Sequence, residues 1–227
     1  MNKNNNKDSI SWHSINSSKF ESNYQKKSIL KNRLKVWRQN IDKYSCNESR
    51  VLDLGCGTGA LSFYLAERNK KVEAVDPSSE MLKICKTKNK DGKIRNIKFI
   101  NSSIDFFSKS NQNTFDLIIC SSVLEYVDNF NESLNQIFKM LKKDGILIFS
   151  IKNYPKYYKY VKNIVSIKEI KDILVKIKFQ IIEYEYFGQI GIFPKIFNKI
   201  GFSCLSKNMI LVVVKTSSAS RNPIYSP

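Results

Sequence analysis

From Arg50 onward, short apolar runs alternate with longer amphipathic stretches, which is the pattern of successive strand–helix units on a parallel sheet. The apolar runs, most of them rich in β-branched or aromatic residues, predict seven strands: Val51–Leu54, Val72–Val75, Ile97–Ile100, Phe115–Cys120, Ile146–Ile151, Phe179–Phe187 and Met209–Lys215. Apolar residues three and four positions apart predict four helices between them: Ala60–Asn69, Ser79–Lys88, Glu132–Leu141 and Ser166–Lys178. The pattern therefore indicates an open α/β sheet.

The two ends of the chain differ from this region. Both are polar, and the start is rich in asparagine, so we expect them to be disordered tails. Ahead of the first strand, Leu30, Leu34, Trp37 and Ile41 recur at helical spacing and predict a helix over Ser28–Tyr44. The predicted organisation is a tail over 1–10, a helical cap over 11–48, one domain over 49–216 and a second tail over 217–227.

Length and composition fit a single sizeable domain, because 227 residues of which 42% are hydrophobic can supply a core. The sequence has no apolar run of about eighteen residues and no apolar stretch at its start, so we expect a soluble, cytoplasmic protein without a transmembrane segment. The five cysteines are widely spaced and there is one histidine. Neither a disulfide framework nor a transition-metal site is expected from them.

The formal net charge of +18 lies mostly in the flanks. Residues 1–48 carry 10 basic and 4 acidic side chains, residues 151–227 carry 13 and 4, and residues 49–150 carry 15 and 12. A basic excess can dock nucleic acid or an anionic surface. Scattered lysines without arginine clusters are more typical of a solvated surface, so a nucleic-acid partner stays open but is not favoured.

The candidate chemistry begins in Val-Leu-Asp-Leu-Gly-Cys-Gly-Thr-Gly-Ala, a strand that ends in a glycine-rich turn and leads into a helix. Glycines permit positive φ and let a ligand approach the backbone closely. The spacing of Gly55, Gly57 and Ala60 also satisfies the dinucleotide pattern. Asp53, within the end of the strand, would repel a pyrophosphate but attract a cation. It therefore favours a zwitterionic, sulfonium-bearing cofactor with an amino group.

Two further segments place polar groups at strand ends. Asp76 ends the next strand, where a carboxylate can accept hydrogen bonds from both hydroxyls of a ribose, whichever of the two cofactors carries it. Residues 115–127, FDLIICSSVLEYV, form a buried strand that opens into a polar loop. Since ligands on open α/β sheets bind beyond the carboxyl ends of the strands, we expect these groups to share one site.

The chain carries four motifs in order: VLDLGCGTG, VDPSSEML, FDLIICSSVLEYV and LKKDGILIFS. On these motifs rests a resemblance of residues 50–151 to the class I S-adenosylmethionine-dependent methyltransferases. They are particularly similar to the small-molecule branch that includes the ubiquinone-biosynthesis O-methyltransferases. The resemblance implies a Rossmann-like, seven-stranded, mostly parallel sheet with helices on both faces and an antiparallel last strand. It also implies S-adenosylmethionine as cofactor and a small molecule as methyl acceptor.

The resemblance also assigns residues that contact the cofactor. They are Asp53, Gly55, Cys56, Gly57 and Gly59 in the glycine loop, Asp76, Pro77, Met81, Ser103 and Ile104 around the adenosine, Cys120 and Ser121 beside the methionine portion, and Tyr24 and Arg33 on its carboxylate. Two departures stand out. An aspartate that many relatives carry near Ser103 is missing, although Asp105 follows, and Tyr126 replaces a histidine that relatives often have.

A sulfonium methyl is already activated, so its transfer needs chiefly alignment of a nucleophile and removal of a proton. His13 is the candidate base. We expect the acceptor pocket to come from Trp12–Tyr24 and an aromatic insertion near 153–165.

The chain lacks the Asn/Asp-Pro-Pro-Tyr/Phe tetrad after its fourth strand and has no Pro-Cys nucleophile, so an oxygen on a small molecule is favoured over a nucleic-acid base. An RNA or protein methyltransferase that docks through the basic flanks, a non-catalytic binding module and a dinucleotide oxidoreductase stay open as alternatives.

Overall fold

Seven strands form one sheet in the order β3-β2-β1-β4-β5-β7-β6. They are Arg50–Leu54 (β1), Lys71–Asp76 (β2), Ile97–Asn101 (β3), Phe115–Ser121 (β4), Leu141–Lys152 (β5), Phe179–Gln189 (β6) and Ser206–Lys215 (β7). Strands β1 to β5 pair in parallel, whereas β7 runs antiparallel to both β5 and β6. This computed structural model, which describes residues 4–68, 71–152, 161–163, 165–189 and 206–215, confirms the predicted Rossmann-like sheet with its antiparallel last strand.

Eight helices lie in the described part of the chain. They are Asn4–Ile15 (α1), Ser17–Lys26 (α2), Ser28–Tyr44 (α3), Ala60–Ala66 (α4), Ser79–Lys88 (α5), Ile104–Ser110 (α6), Phe130–Met140 (α7) and Ile167–Ile177 (α8). Among them, none combines the length and the apolar character needed to cross a membrane.

The alternation of side chains along the strands divides the core between the two faces of the sheet. Leu52 and Leu54 face one cluster, which is completed by α6, α7 and α8. Val51 faces the opposite cluster, where α3 contributes the fully buried Trp37 and α4 packs beside it. Helices therefore cover both faces, and the carboxyl ends of β1 to β5 stay together at one edge.

Several helix ends carry the caps that hold them in place. Ser166 and Glu169 form a reciprocal capping box at the start of α8, and the Asn129 side chain accepts from the Glu132 N–H at the start of α7. Helix α7 ends at Met140, one residue before the predicted end at Leu141. Leu141 already pairs with Phe115 as the first residue of β5, and the Asp144 backbone has a φ of 59°.

The start of the chain also differs from the prediction. The expected disordered tail over 1–10 overlaps α1, which begins at Asn4. Its composition lacks an apolar repeat, and its order comes from tertiary packing on α5. There the Ser14 hydroxyl donates to the Ser78 hydroxyl at 2.7 Å.

Asp116, the second residue of β4, stabilises the opposite edge of the sheet. Its carboxylate accepts from the Arg50 N–H at 2.8 Å and pairs with Lys142. Asp116 is therefore placed as a structural residue.

Candidate functional site

A cavity of about 860 Å³ runs along the carboxyl edge of the sheet. Its walls come from the ends of β1, β2, β4 and β5, the turns that follow them, and helices α1, α2 and α3. Strands β3 and β5 are separated by four strand spacings of about 4.8 Å each, so the sheet edge between them is roughly 19 Å wide. The cavity can therefore hold an extended ligand across several strand ends.

The glycine loop after β1 forms the floor of this cavity. The N–H groups of Gly55 and Cys56 both donate to the Val75 carbonyl, at 2.8 and 3.0 Å, which ties the loop to β2. Gly55 has a φ of +69°, and a Cβ there would lie 2.1 Å from Val123 Cγ2. A Cβ at Gly57, where φ is +55°, would meet no described heavy atom within 4 Å. The Gly57 backbone is therefore open to a ligand.

Two buried carboxylates lie beside the loop. The Ser62 hydroxyl donates to Asp53 Oδ2 at 2.5 Å, and burial raises the pKa of Asp53 to about 7. The Asp76 carboxylate accepts from the N–H groups of Gly57, at 2.8 Å, and Ser78, at 2.9 Å. Burial also raises the pKa of Asp76, against those two hydrogen bonds. A ligand that brings an ammonium group to Asp53 and hydroxyls to Asp76 would compensate their desolvation, which fits the expected cofactor.

An arginine connects the N-terminal helices to the end of β4. Arg33, on α3, donates from Nη2 to the hydroxyls of Ser121, at 2.5 Å, and Ser122, at 2.9 Å. The Ser122 backbone has a φ of 56°, and its N–H donates to Ser150 Oγ at 3.1 Å. A guanidinium held in this way can bind a carboxylate. Tyr24 lies in the same wall.

The far end of the cavity is aromatic. His13 Nδ1 lies 2.8 Å from the Ser9 carbonyl oxygen, which can only accept, so Nδ1 carries a proton and Nε2 has the lone pair. Burial lowers the pKa of His13 and keeps the imidazole neutral near pH 7. The ring stacks on Phe20 and meets Trp12 and Tyr126 edge to face.

Sequence reasoning missed two charged groups near this end. Lys152, the last residue of β5, lines the cavity and donates from Nζ to the Tyr126 hydroxyl oxygen at 2.6 Å. Glu125, next to Tyr126, is 1% exposed, and neither carboxylate oxygen accepts a hydrogen bond from the described residues. Burial raises the pKa of Glu125, and the charge of Lys152 opposes that rise. The position of Lys152 at the carboxyl end of a strand is a signal that could have found it.

The structure brings most of the predicted residues together around the cavity. Those that line it are His13, Tyr24, Arg33, Asp53, Gly55, Cys56, Gly57, Asp76, Pro77, Met81, Ser103, Ile104 and Ser121. Asp105 lines it as well. Their individual roles stay predictions.

Two predicted residues lie outside the cavity wall. Gly59 has a φ of +82°, is the N-cap of α4 and lies against Phe63 and Cys85, where a Cβ would come within about 3 Å of both side chains. Cys120 is fully buried in the core, so the expectation that it faces the ligand is corrected by its alternation with Ser121, which does line the cavity. Of the predicted acceptor insertion near 153–165, residues 153–160 and 164 lie outside the described residues.

Comparisons with known proteins agree with this geometry. A family model described as a methyltransferase domain matches residues 46–178. A malonyl-[acyl-carrier protein] O-methyltransferase of Bacillus anthracis is 31% identical over 111 residues, which are 48% of this chain and 39% of that protein. A ubiquinone biosynthesis O-methyltransferase of Saccharophagus degradans is 27% identical over 112 residues, 49% of this chain and 47% of that protein. The chain thus spans less than half the length of these curated relatives.

The solved structures extend the likeness in fold. The magnesium protoporphyrin IX methyltransferase of Synechocystis, solved with bound S-adenosylmethionine, is 17% identical and has a TM-score of 0.72. That comparison covers 95% of this chain and 100% of the other. The described architecture is therefore shared almost from end to end.

Proposed function

As its motifs predict, the chain belongs to the methyltransferase domain family, and from this premise we propose that it binds S-adenosylmethionine and methylates an oxygen atom of a small molecule. The observation that carries the proposal is the buried Asp53 carboxylate behind the open backbone of Gly57. A carboxylate in that place favours a ligand with an amino group over one with a pyrophosphate. This supports S-adenosylmethionine over a dinucleotide.

The residues around the cavity divide into two halves that suit the two ends of this cofactor. Asp76 would accept from the ribose hydroxyls, and Met81 and Ile104 would pack against the adenine. Asp53 would face the amino group, and Arg33 and Tyr24 would hold the carboxylate, the methionine portion lying against Ser121. When bound, S-adenosylmethionine supplies a methyl carbon attached to a positively charged sulfur.

The acceptor would enter at the aromatic end. Trp12, His13 and Phe20 form a wall there that suits an apolar or aromatic molecule. His13 stays a candidate proton acceptor through Nε2. An oxygen acceptor is supported by the missing Pro-Pro tetrad and by the two relatives, which are O-methyltransferases by name.

The basic flanks favour one second candidate, a methyltransferase that docks RNA or protein on its surface. It requires affinity for a mixed tRNA sample that falls steeply as salt is raised. Weak binding with a shallow salt dependence would remove it.

Calorimetry with S-adenosylmethionine and with a nicotinamide dinucleotide tests the cofactor. We expect binding of the first alone, and at least a roughly tenfold loss of affinity in Asp76→Asn, because hydrogen bonds to charged groups contribute about 1.5–3 kcal/mol each. Asp116→Asn is the matched control, since that carboxylate lies at the opposite edge of the sheet. A protein that ignores the sulfonium compound and binds the dinucleotide would contradict the proposal.

The acceptor can be searched for with labelled cofactor and metabolite extracts. We expect the label to appear in a small product. Its new methyl group should be identified as the methyl of an ether or an ester, and not as an N-methyl or C-methyl group. A labelled nitrogen or carbon product would overturn the oxygen assignment while leaving cofactor binding intact.

A further inference from the structure

A lysine and a tyrosine form a pair at the acceptor end of the cavity. Lys152 Nζ donates to the Tyr126 hydroxyl oxygen at 2.6 Å, and Nζ lies 4.9 Å from the centre of the ring. Both side chains line the cavity. The pair therefore places a titratable hydroxyl where the acceptor would enter.

We propose that the Tyr126 oxygen, held against the Lys152 ammonium, receives the proton of the acceptor, and that the acceptor is a weakly acidic hydroxyl such as a phenol. The inference rests on the methyl transfer proposed above and specifies which acceptor oxygen the site serves.

The chemistry of the pair distinguishes two kinds of oxygen acceptor. A hydrogen bond from an ammonium group stabilises a phenolate over a phenol. Tyrosine and simple phenols ordinarily titrate near a pKa of about 10, so a proton passes between them with little cost. A carboxylic acid has already lost its proton at neutral pH and requires no base. A site that places a tyrosine against a lysine is therefore suited to a phenol.

Titratable and charged groups from three parts of the chain lie near the pair. Glu125 lies next to Tyr126 in the same turn, Arg33 approaches from α3, and His13 covers the tyrosine ring from α1 at 5.2 Å between ring centres. Burial lowers the pKa of Lys152, and the negative charge of Glu125 opposes that change, whereas Arg33 reinforces it. The hydrogen bond from Lys152 Nζ to the Tyr126 hydroxyl oxygen holds the ammonium group in place beside the tyrosine.

The proposed step balances in atoms and charge. Tyr126 reacts as the phenolate, which has already released its own proton to water and whose charge is balanced by the Lys152 ammonium. The O–H bond of the acceptor breaks, and its proton passes to this phenolate oxygen. The acceptor oxygen forms the bond to the methyl carbon while the carbon–sulfur bond breaks and leaves its electron pair on sulfur. The proton leaves Tyr126 for water when the product departs.

The first test needs no acceptor. Phenolate absorbance is recorded as pH rises, and the contribution of Tyr126 among the 11 tyrosines is isolated by subtracting Tyr126→Phe. We expect this absorbance to emerge at lower pH in the wild-type protein and in Lys152→Arg than in Lys152→Met. Emergence at the same pH in all three proteins would overturn the proposal, whether or not the variants lose stability.

The second test uses para-hydroxybenzoate, which offers a phenol and a carboxylate in one molecule. We expect an ether product, a loss of about a hundredfold in kcat for Tyr126→Phe, and partial recovery in Tyr126→His. An ester product, or an undiminished rate in Tyr126→Phe, would overturn the proposal. If the probe is not methylated, the titration decides.

Calorimetry with S-adenosylmethionine separates the two levels of inference. Wild-type protein that does not bind it contradicts the proposed function itself. If Tyr126→Phe and Lys152→Met bind S-adenosylmethionine as the wild-type protein does, and the phenolate absorbance of Tyr126 does not depend on Lys152, only the role of the pair is contradicted.

Discussion

Two glycines with similar positive φ values offer a matched test of where the cofactor lies. Gly57 and Gly92 have φ values of +55° and +61°, and a Cβ at either would meet no described heavy atom within 4 Å. Gly57 lines the cavity, whereas Gly92 lies beyond the end of α5, outside the cavity wall. Alanine at either position therefore costs the same backbone strain, about 1–2 kcal/mol, and the two variants should lose similar unfolding free energy.

The two alanine variants should differ in binding. The Gly57 Cβ would extend into the space where the cofactor meets the loop, so we expect Gly57→Ala to lose at least a factor of about ten in affinity, or roughly 1.4 kcal/mol. Gly92→Ala should bind as the wild-type protein does. Urea unfolding measures the first effect and calorimetry with S-adenosylmethionine the second.

Gly55→Ala extends the series. A Cβ at Gly55 would lie 2.1 Å from Val123 Cγ2, so overpacking of about 1–3 kcal/mol adds to the strain, and this variant should be the least stable of the three. If Gly57→Ala kept full affinity, or if Gly92→Ala lost as much, the cofactor would not lie against the loop and the reasoning would fail.

Three further predictions concern single side chains. Because the pKa of Asp53 is about 7 when folded and about 3.9 when unfolded, stability of the ligand-free protein should fall as pH rises from about 4 to about 7, and Asp53→Asn should make that slope shallower in urea unfolding. Arg33→Met should lower affinity for S-adenosylmethionine about ten- to a hundredfold in calorimetry, and unchanged affinity would place the methionine carboxylate elsewhere. Ser166→Ala, which breaks the capping box of α8, should cost about 1 kcal/mol of unfolding free energy and leave binding intact.

The sequence predicted the central strands well because buried parallel strands are near-continuous apolar runs. The predicted Val51–Leu54 and Phe115–Cys120 each differ by one residue from β1 and β4. Helix α6, of seven residues, was missed because it is too short to display a period. Helix α1 was missed because its order depends on contacts with α5 rather than on its own composition.

Some features of the site could be predicted from local sequence, whereas others depend on contacts between residues far apart in the chain. The glycine loop and Asp76 could be predicted because each follows directly from the end of a strand in the sequence. The hydrogen bond from Arg33 to Ser121 joins residues 88 positions apart, and that from Lys152 to Tyr126 joins residues 26 apart. Such pairs are fixed by sheet order and helix packing, and no local pattern records them.

The packing of the N-terminal helices should affect how fast ligands enter and leave the cavity, and not how tightly they bind. Helices α1 and α2 pack on α5, where Lys88 donates to both Glu21, at 2.6 Å, and the Thr58 carbonyl, at 2.9 Å, and they bring Trp12 and Phe20 to the wall of the cavity. We expect this helix pair to move when a ligand enters or leaves the cavity. Loosening it with Glu21→Gln should quicken arrival and departure in equal proportion in stopped-flow traces, with an unaltered dissociation constant, whereas a change in departure alone would mean that Glu21 stabilises the occupied state directly.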